Sequence, residues 1–459
     1  MYAGDTIAAV ATPQGAGGIG IIRVSGPLSA TIAVSVFAPS AGPASWESHH
    51  LYYGHVMAGE GYVLDEGLAV LMRGPRSYTG EDVLELHCHG SPVLLRQVLS
   101  EVLRCGARLA EPGEFTRRAF LNGRLDLTQA EAVLDLVRAR TAAGAALAAQ
   151  QLGGQLSEHL AELRTHLVGL KALLEVQIDF SDEDVDVSAS QLLSTTDTCL
   201  VTIQDLINTF ERGTILRDGL RVAIVGKPNV GKSSLLNALL GEDRAIVTAV
   251  AGTTRDTIDE TADFDGVPVV LSDTAGLRGT ERADAVERLG IERTAAKIAQ
   301  AQILLKVLDA AAPLDEEDFA VLNAAAHIPQ VVVLNKIDLP QVISEQDVPR
   351  PAAGAPIVSV SARRLQGLAG VRRAVVSRVF NGDGSAADTP VVTSIRHRDA
   401  LEKARHSLAL ARESIADGRS ADLVAVDVQD AIDHIGAITG LVTSEDVLDR
   451  IFSDFCIGK

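Results

Sequence analysis

The sequence predicts a multidomain α/β + α protein, in which a P-loop α/β domain is inserted in a helical bundle and preceded by an α+β domain. Three observations carry this. The chain has 459 residues, more than one compact domain uses. Its hydrophobic period changes from mixed to helical, then to alternating strand and helix, then back to helical. And a glycine-rich run, Gly226 to Ser233, stands between an apolar strand and a helical stretch.

From Asp5 to Arg118 short β-rich runs appear at Thr6–Ala11, Ile19–Val24, Leu68–Met72 and Val83–Cys88, punctuated by glycine and proline. A helix is expected from Pro92 to Leu103, with Gly106 soon after its end. From Thr128 the period is helical. Thr128 and Glu131 have capping-box spacing, and Ala130, Val133, Leu134 and Val137 follow on one face. Leu156, Leu160, Leu163, Leu167, Leu170 and Leu174 form a seam too short for a free coiled coil, which points to bundle packing.

Apolar strands then run Val222–Val225, Val267–Leu271, Ile303–Leu308, Val331–Leu334 and Ile357–Val360, with helical stretches between them. That is the pattern of a parallel sheet covered on both faces. A linker at Asn381–Ser385 leads to a helical segment, Arg396–Phe455. The expected divisions are 1–118, 119–214, 215–380 and 381–459. The two helical flanks form either one interrupted bundle or two separate domains.

Composition excludes several classes. Apolar residues are 47% and charged residues 22%, enough for large cores. No apolar run approaches the roughly 18 residues of a membrane span, and the first residues lack a basic start followed by an apolar stretch. Cys88, Cys105, Cys199 and Cys456 form no CxxC pair, which disfavours a disulfide scaffold or zinc ribbon and fits a reducing, cytoplasmic setting. The net charge of −19 opposes non-specific nucleic-acid binding. Most of it falls on 119–214 and 381–459, whereas 215–380 is nearly neutral. Only eight of the 41 basic residues are lysine, and Lys232, Lys336 and Lys459 all lie in motifs.

Gly226-Lys227-Pro228-Asn229-Val230-Gly231-Lys232-Ser233 fits GxxxxGKS. Its glycines let backbone N–H groups turn around phosphate oxygens, and the following helix, Ser234–Leu240, adds positive partial charge. Lys232 is expected to reach the outer phosphates and Ser233 to ligate Mg²⁺. Asp273-Thr274-Ala275-Gly276 follows a strand, where a carboxylate can hold Mg²⁺ through water and Gly276 N–H can meet a γ-phosphate. Asn335-Lys336-Ile337-Asp338 follows another. Asp338 can accept two N–H bonds from guanine, a donor pair that adenine lacks, so GTP is the expected nucleotide. Ser361-Ala362-Arg363 fits the loop that also touches the base. Thr254, in Gly252-Thr253-Thr254-Arg255-Asp256, is the candidate to close over Mg²⁺. Leu277 follows Gly276 where Ras-like enzymes put a water-orienting glutamine. Leucine cannot orient water, so catalysis must draw on another group or a partner; Glu287 is a nearby carboxylate.

Outside these motifs stand Thr12-Pro13 with Gly15 and Gly17-Gly18, Tyr78-Thr79-Gly80-Glu81-Asp82-Val83-Leu84-Glu85, Pro112-Gly113-Glu114-Phe115-Thr116, Ala119 to Leu127, and the terminal Phe455-Cys456-Ile457-Gly458-Lys459. On these, over nearly its whole length, the chain resembles the MnmE (TrmE) tRNA uridine-modification GTPases. The resemblance implies a folate-binding-like N-terminal dimerisation domain, a discontinuous helical domain and an inserted G domain. It implies a homodimer that works with a flavin-dependent partner, MnmG (GidA), in a heterotetramer. Together they would place an aminomethyl-type (carboxymethylaminomethyl) group on C5 of the wobble uridine of certain tRNAs. The one-carbon unit would come from 5-formyl- or methylene-tetrahydrofolate.

The resemblance also implies K⁺ in place of an arginine finger, with ligands from Asn229, Thr248, Val250 and Thr253 in a GTP-binding loop that includes Ala249 and Ala251. It implies Glu287 as the water-positioning group, Cys456 as a functional thiol, and Arg23, Glu85, Arg124 and Lys459 as folate-binding residues. From the residues alone, Cys456 also reads as a small buried apolar side chain. His87-Cys88-His89 reads as structural, because alternate strand residues face opposite ways. The acidic cluster of Asp179, Asp182, Glu183, Asp184 and Asp186 reads as a solvated loop. Arg117-Arg118 is either a tRNA phosphate contact or a surface charge pair.

Two competing functions differ in class. A ribosome-assembly or regulatory GTPase switch without modification chemistry would carry a basic stripe beside the G domain, and Arg396 to Lys459 has none. A stand-alone folate aminomethyltransferase with a regulatory G domain would act without a protein partner.

Overall fold

The computed structural model describes residues 4–41, 46–59, 61–179, 188–242, 260–273, 298–349, 354–380 and 390–459, the side chains of Glu242 and Asp273 excepted. The chain begins with β1 (Ile7–Val10), β2 (Gly17–Ser25), α1 (Ser29–Val36), β3 (Phe37–Pro39), β4 (Leu51–Met57), β5 (Val63–Met72), β6 (Val83–Gly90), α2 (Pro92–Arg104) and β7 (Arg108–Leu109). These strands form one sheet in the order β3-β4-β5-β6-β2-β1-β7, antiparallel except where β1 meets β7.

Period-two alternation builds the core. Ile22 and Val24 of β2 and Leu84 and Leu86 of β6 pack with Val98 and Val102 of α2 and Ile32 of α1. Arg23 and Glu85, one position out of step, therefore project from the other face. The four β-rich runs read in the sequence fall in β1, β2, β5 and β6. The strands β3, β4 and β7 carry no such signal: two are very short, and Gly54-His55 interrupts β4.

Next come α3 (Glu114–Leu121), α4 (Leu127–Arg138), α5 (Ala142–Leu152), α6 (Gln155–Asp179), α7 (Ala189–Asn208) and α8 (Phe210–Asp218). The expected cap at Thr128 is displaced by two residues. Asp126 Oδ1 accepts from Gln129 N–H at 3.0 Å, and Gln129 Oε1 accepts from Asp126 N–H at 3.0 Å. Asp126 makes the reciprocal box because a carboxylate accepts better than a hydroxyl. Thr128 lies inside the helix and donates to Asp126 at 2.7 Å. All six seam leucines of α6 are at most 2% exposed. Of the acidic cluster, Asp179 closes α6 and the rest lies outside the described residues.

The second sheet comprises β8 (Leu220–Val225), β9 (Glu260–Phe264), β10 (Val267–Asp273), β11 (Ile303–Asp309), β12 (Gln330–Asn335) and β13 (Ile357–Ser359), with α9 (Lys232–Glu242), α10 (Glu316–Asn323) and α11 (Leu368–Val379). Its order is β13-β12-β11-β8-β10-β9. All pairs are parallel except the edge pair of β9 and β10, a hairpin absent from the sequence reading. Val222 and Ile224 pack into one core with Leu235 and Leu239 of α9. Ala223 and Val225 pack into another on the opposite face, so both faces are covered as expected.

The remaining helices are α12 (Ile395–Ala416), α13 (Ala421–Thr439) and α14 (Glu445–Ser453). α12 packs along α7, and Arg398 stacks its guanidinium 4.7 Å from the Phe210 ring centroid. Chain contacts gather into two compact units. One takes in 1–134, 152–169 and 428–459, the other 135–151 and 170–427. In the first, Phe452 and Phe455 are buried with Leu127, Ala130 and Val133. Among the described residues no helix is long and apolar enough to cross a membrane.

Arg117 and Arg118 do not form a surface charge pair. Arg118 is 2% exposed and donates to Asp5 at 2.7 Å and Glu114 at 2.9 Å. Arg117 reaches Glu445 and Asp449 of α14 at 2.6 and 2.8 Å. The sequence reading missed this because Asp5, Glu445 and Asp449 are distant in the chain. A buried guanidinium is tolerable only with such partners.

Candidate functional site

The nucleotide-type site is built on strand ends. β8 delivers Gly226, and the loop turns through Asn229 (φ +63°) and Gly231 (φ +95°) into α9. A Cβ on Gly231 would stand 2.3 Å from Asn335 Nδ2, so only glycine fits. Ser233 and Ser234 are exposed at the start of α9, and Val230 is buried. The Lys232 ammonium donates to the carbonyls of Gly226 at 2.8 Å and Lys227 at 2.9 Å.

Asn335 ties two loops together. Its Nδ2 donates to the Val230 carbonyl at 2.9 Å, while its Oδ1 accepts from Ala362 N–H at 3.1 Å. At 2% exposure it is a buried clamp between the P-loop and the 361–363 loop. Ser361 Oγ donates to Asp338 at 2.6 Å. That hydrogen bond is the main cause holding the Asp338 carboxyl below the usual carboxylate range, so it stays an acceptor. Ile337 N–H donates to the Val360 carbonyl at 3.2 Å, and Arg363 is exposed beside Ala362. Lys336, at φ +68°, donates to Asp309 at 2.5 Å. Thus Asn229 to Ser234, Asn335 to Asp338 and Ser361 to Arg363 come together at one end of the sheet. Asp273 closes β10 at the same strand ends. Thr248 to Thr254, Thr274 to Gly276, Leu277 and Glu287 lie outside the described residues.

A second cluster forms on the face of the first sheet opposite its main core, beside the small buried group of Ile7, Ala9, Ala110 and Phe115. Arg23 and Glu85 are register partners on β2 and β6, and Arg23 Nε donates to Glu85 at 2.9 Å. Arg23 lies 5.2 Å from the Tyr78 ring centroid and 5.8 Å from that of Phe115. Its Nη1 donates to the Gly458 carbonyl at 3.4 Å, bringing the chain's last residues to the sheet. A lone bridge between Pro112 and Ile457 guides them there. Lys459 is half-buried. Burial, then the Arg23 charge, lowers its ammonium pKa against the opposing pull of Glu85. Arg124 is exposed at the rim and donates to the Ser77 carbonyl at 3.2 Å, next to Tyr78.

His87, read as structural, stands 3.5 Å from Glu85. Its closeness is the leading cause of the lowered Glu85 pKa, and the Arg23 charge adds to it against burial. The signal was available, since residues 85 and 87 share a strand face. Tyr78 and Phe115 are further residues that sequence reasoning did not single out individually. His89 pairs instead with Asp65 at 2.8 Å, and burial pushes the Cys88 thiol up to about 12. Among the described residues no group of His, Cys, Asp and Glu could hold a metal ion. Cys456 is exposed between buried Phe455 and Gly458, so it is not the small buried core residue its neighbours suggested.

Comparison with known proteins covers both regions. Residues 6–124 match the family described as GTP-binding protein TrmE N-terminus, and residues 127–456 match the MnmE helical domain. The chain is 47% identical over 456 residues to the tRNA modification GTPase MnmE of Chloroflexus aurantiacus, covering 99% of this chain and 100% of that protein. It is 46% identical over 462 residues to the protein of the same description from Geobacter sulfurreducens, covering all of both.

Proposed function

The chain belongs to the tRNA modification GTPase MnmE family, and from that premise we propose that it is a potassium-dependent GTPase that uses a folate one-carbon unit to modify C5 of the tRNA wobble uridine. That it is a GTP hydrolase acting in tRNA modification follows from the family. The finer reading is carried by one observation: Arg23, Glu85 and the chain's terminal Lys459 meet on the second face of the first sheet, opposite its main core. Two cations beside a carboxylate suit a folate, whose glutamate tail is anionic and whose pterin ring carries N–H donors. Arg23 and Lys459 would pair with the tail or the ring oxygen, and Glu85 would accept from the ring. Arg124 would close the rim, and exposed Cys456 would act at its edge. The bound folate would supply the one-carbon unit.

At the nucleotide site Lys232 would bind the outer phosphates and Ser233, with Thr254, would ligate Mg²⁺. Asp338 would read guanine, with Ser361, Ala362 and Arg363 lining the base. Asn229, exposed at the turn apex, would give a side-chain oxygen to K⁺ alongside Thr248, Val250 and Thr253, and Glu287 would position water. The cation would offset negative charge that develops on the phosphates. The working assembly would be a cytoplasmic homodimer, joined by the flavin-dependent MnmG in a heterotetramer. Its domains would run 1–118, 119–214, 215–380 and 381–459, with the third inserted in the helical domain formed by the second and fourth.

Two measurements test this. Titration of 5-formyl-tetrahydrofolate into the purified protein is expected to show binding that Arg23→Ala removes; no binding to the unaltered protein overturns the folate reading. GTP hydrolysis is expected to be faster in potassium than in sodium buffer, and equal rates overturn the cation role.

A further inference from the structure

The second residue of the P-loop is a lysine whose side chain reaches across to α10. Lys227 Nζ donates to Asp315 and to Asp318, each at 2.7 Å. These two aspartates also form the capping box of α10: Asp318 N–H donates to Asp315 at 3.0 Å, and Asp315 N–H donates to Asp318 at 3.2 Å. The lysine therefore grips a helix start that is already closed on itself.

The far end of α10 is gripped as well. Lys306 of β11 is fully buried, and its ammonium donates to the carbonyls of Leu322 at 2.6 Å and Ala324 at 2.8 Å. A cation at carbonyls left free by a helix end satisfies them and complements the helix dipole. α10 is thus fixed to the sheet at its C-terminus and to the P-loop at its N-terminus. Meanwhile the Lys227 main-chain carbonyl, with that of Gly226, accepts from the Lys232 ammonium.

We propose that Lys227 is a positioning residue for Lys232: clasped by Asp315 and Asp318 on the rigid α10, it fixes the Gly226–Lys227 backbone whose carbonyls hold the Lys232 ammonium in place. The inference rests on the reading of Lys232 as the phosphate-binding lysine. Without the clasp the loop carbonyls are free to rotate, and Lys232 loses its aim at the outer phosphates. Contacts to the base and to the first phosphate do not pass through this clasp.

The test uses the full-length protein. Asp318 is only 3% exposed, its Oδ1 accepts no hydrogen bond among the described residues, and its Oδ2 would keep only the Asp315 N–H, so Lys227→Met alone leaves a buried carboxylate without its cation and lowers thermal stability. The double variant Lys227→Met with Asp318→Asn removes that charge. We expect it to regain thermal stability while losing about ten- to a hundredfold in kcat/KM for GTP. The affinity for GTP is expected to fall with it, GMP binding to stay unchanged, and Lys227→Arg to restore both. A double variant that binds GTP as tightly as the unaltered protein overturns the proposal. So does an equal loss of GTP and GMP affinity. Lys232→Ala is the control: if it keeps full GTP affinity, the reading of Lys232 fails first, whereas loss there with none in the double variant sinks only the role of Lys227.

Discussion

Arg23 and Gly458 lie 435 positions apart in the chain, yet the guanidinium of the first donates to the carbonyl of the second at 3.4 Å. The same guanidinium pairs with Glu85 at 2.9 Å. The last residues of the protein therefore complete a polar cluster that the N-terminal sheet begins, and Lys459 adds a second cation to it.

Gly458 makes this closure possible. Its φ is +99°, and a Cβ there would stand 2.4 Å from the Val10 carbonyl oxygen. Gly458→Ala is expected to push Lys459 off the sheet and weaken folate binding by about 1–3 kcal/mol, the scale of charge-assisted hydrogen bonds. Titration calorimetry with 5-formyl-tetrahydrofolate checks it. Unchanged affinity would mean the terminus is not part of the site.

Asn335 bridges two loops from a buried position. Asn335→Ala would leave the Val230 carbonyl and the Ala362 N–H without this partner, and GTP affinity is expected to fall by about 1–3 kcal/mol. Fluorescent-nucleotide binding reads this directly, and wild-type affinity in the variant would refute it.

Asp338 is held as an ionised acceptor by Ser361. Asp338→Asn is expected to shift the preference from GTP toward xanthosine triphosphate by roughly a hundredfold or more, since the amide then meets a base carbonyl where guanine has an amine. A competition assay between the two nucleotides decides it, and an unaltered preference refutes the base-reading role.

Arg118 anchors Asp5 and Glu114 inside the first unit. Arg118→Met strips a buried carboxylate of a cation and is expected to cost about 3–5 kcal/mol. Denaturant unfolding measures this, and a cost within experimental error would argue against the network.

The same network sets an acid dependence. Burial opposes ionisation of Asp5 and Glu114, but hydrogen bonds led by Arg108 outweigh it and hold both below their ordinary values of 3.8 and 4.5. The unfolded chain then binds more protons than the folded one in that range, so stability rises with pH there. The contribution is full above both ordinary values and is lost as pH falls through the folded ones. Acid unfolding curves are expected to be shallower in Arg118→Met than in the unaltered protein; parallel curves would contradict it.

What could be read from the sequence was whatever a local pattern encodes. The P-loop, the NKxD run and their strands are contiguous, and parallel strands buried on both faces read as apolar runs. The seam of α6 was visible for the same reason, six leucines at helical spacing. Local patterns failed where a competitor stood nearby: Asp126 outbid Thr128 for the cap of α4. They also failed where partners are remote. Arg118 beside Arg117 resembles surface charge until Asp5 and Glu81 join Glu114 around it. His87 is different: it stands two residues from Glu85 on one strand face, so its place beside that carboxylate was legible locally. The grip of Lys227 on α10 spans 91 residues to Asp318, beyond any motif.

Mass analysis of the wobble uridine bears most directly on the proposed chemistry. tRNA would be taken from cells whose own copy of this protein is replaced by Lys459→Ala, and compared with cells carrying the unaltered chain. Retained GTP hydrolysis with loss of the C5 modification is the expected result. Full modification by the variant would contradict a folate-type site completed by the chain's C-terminus.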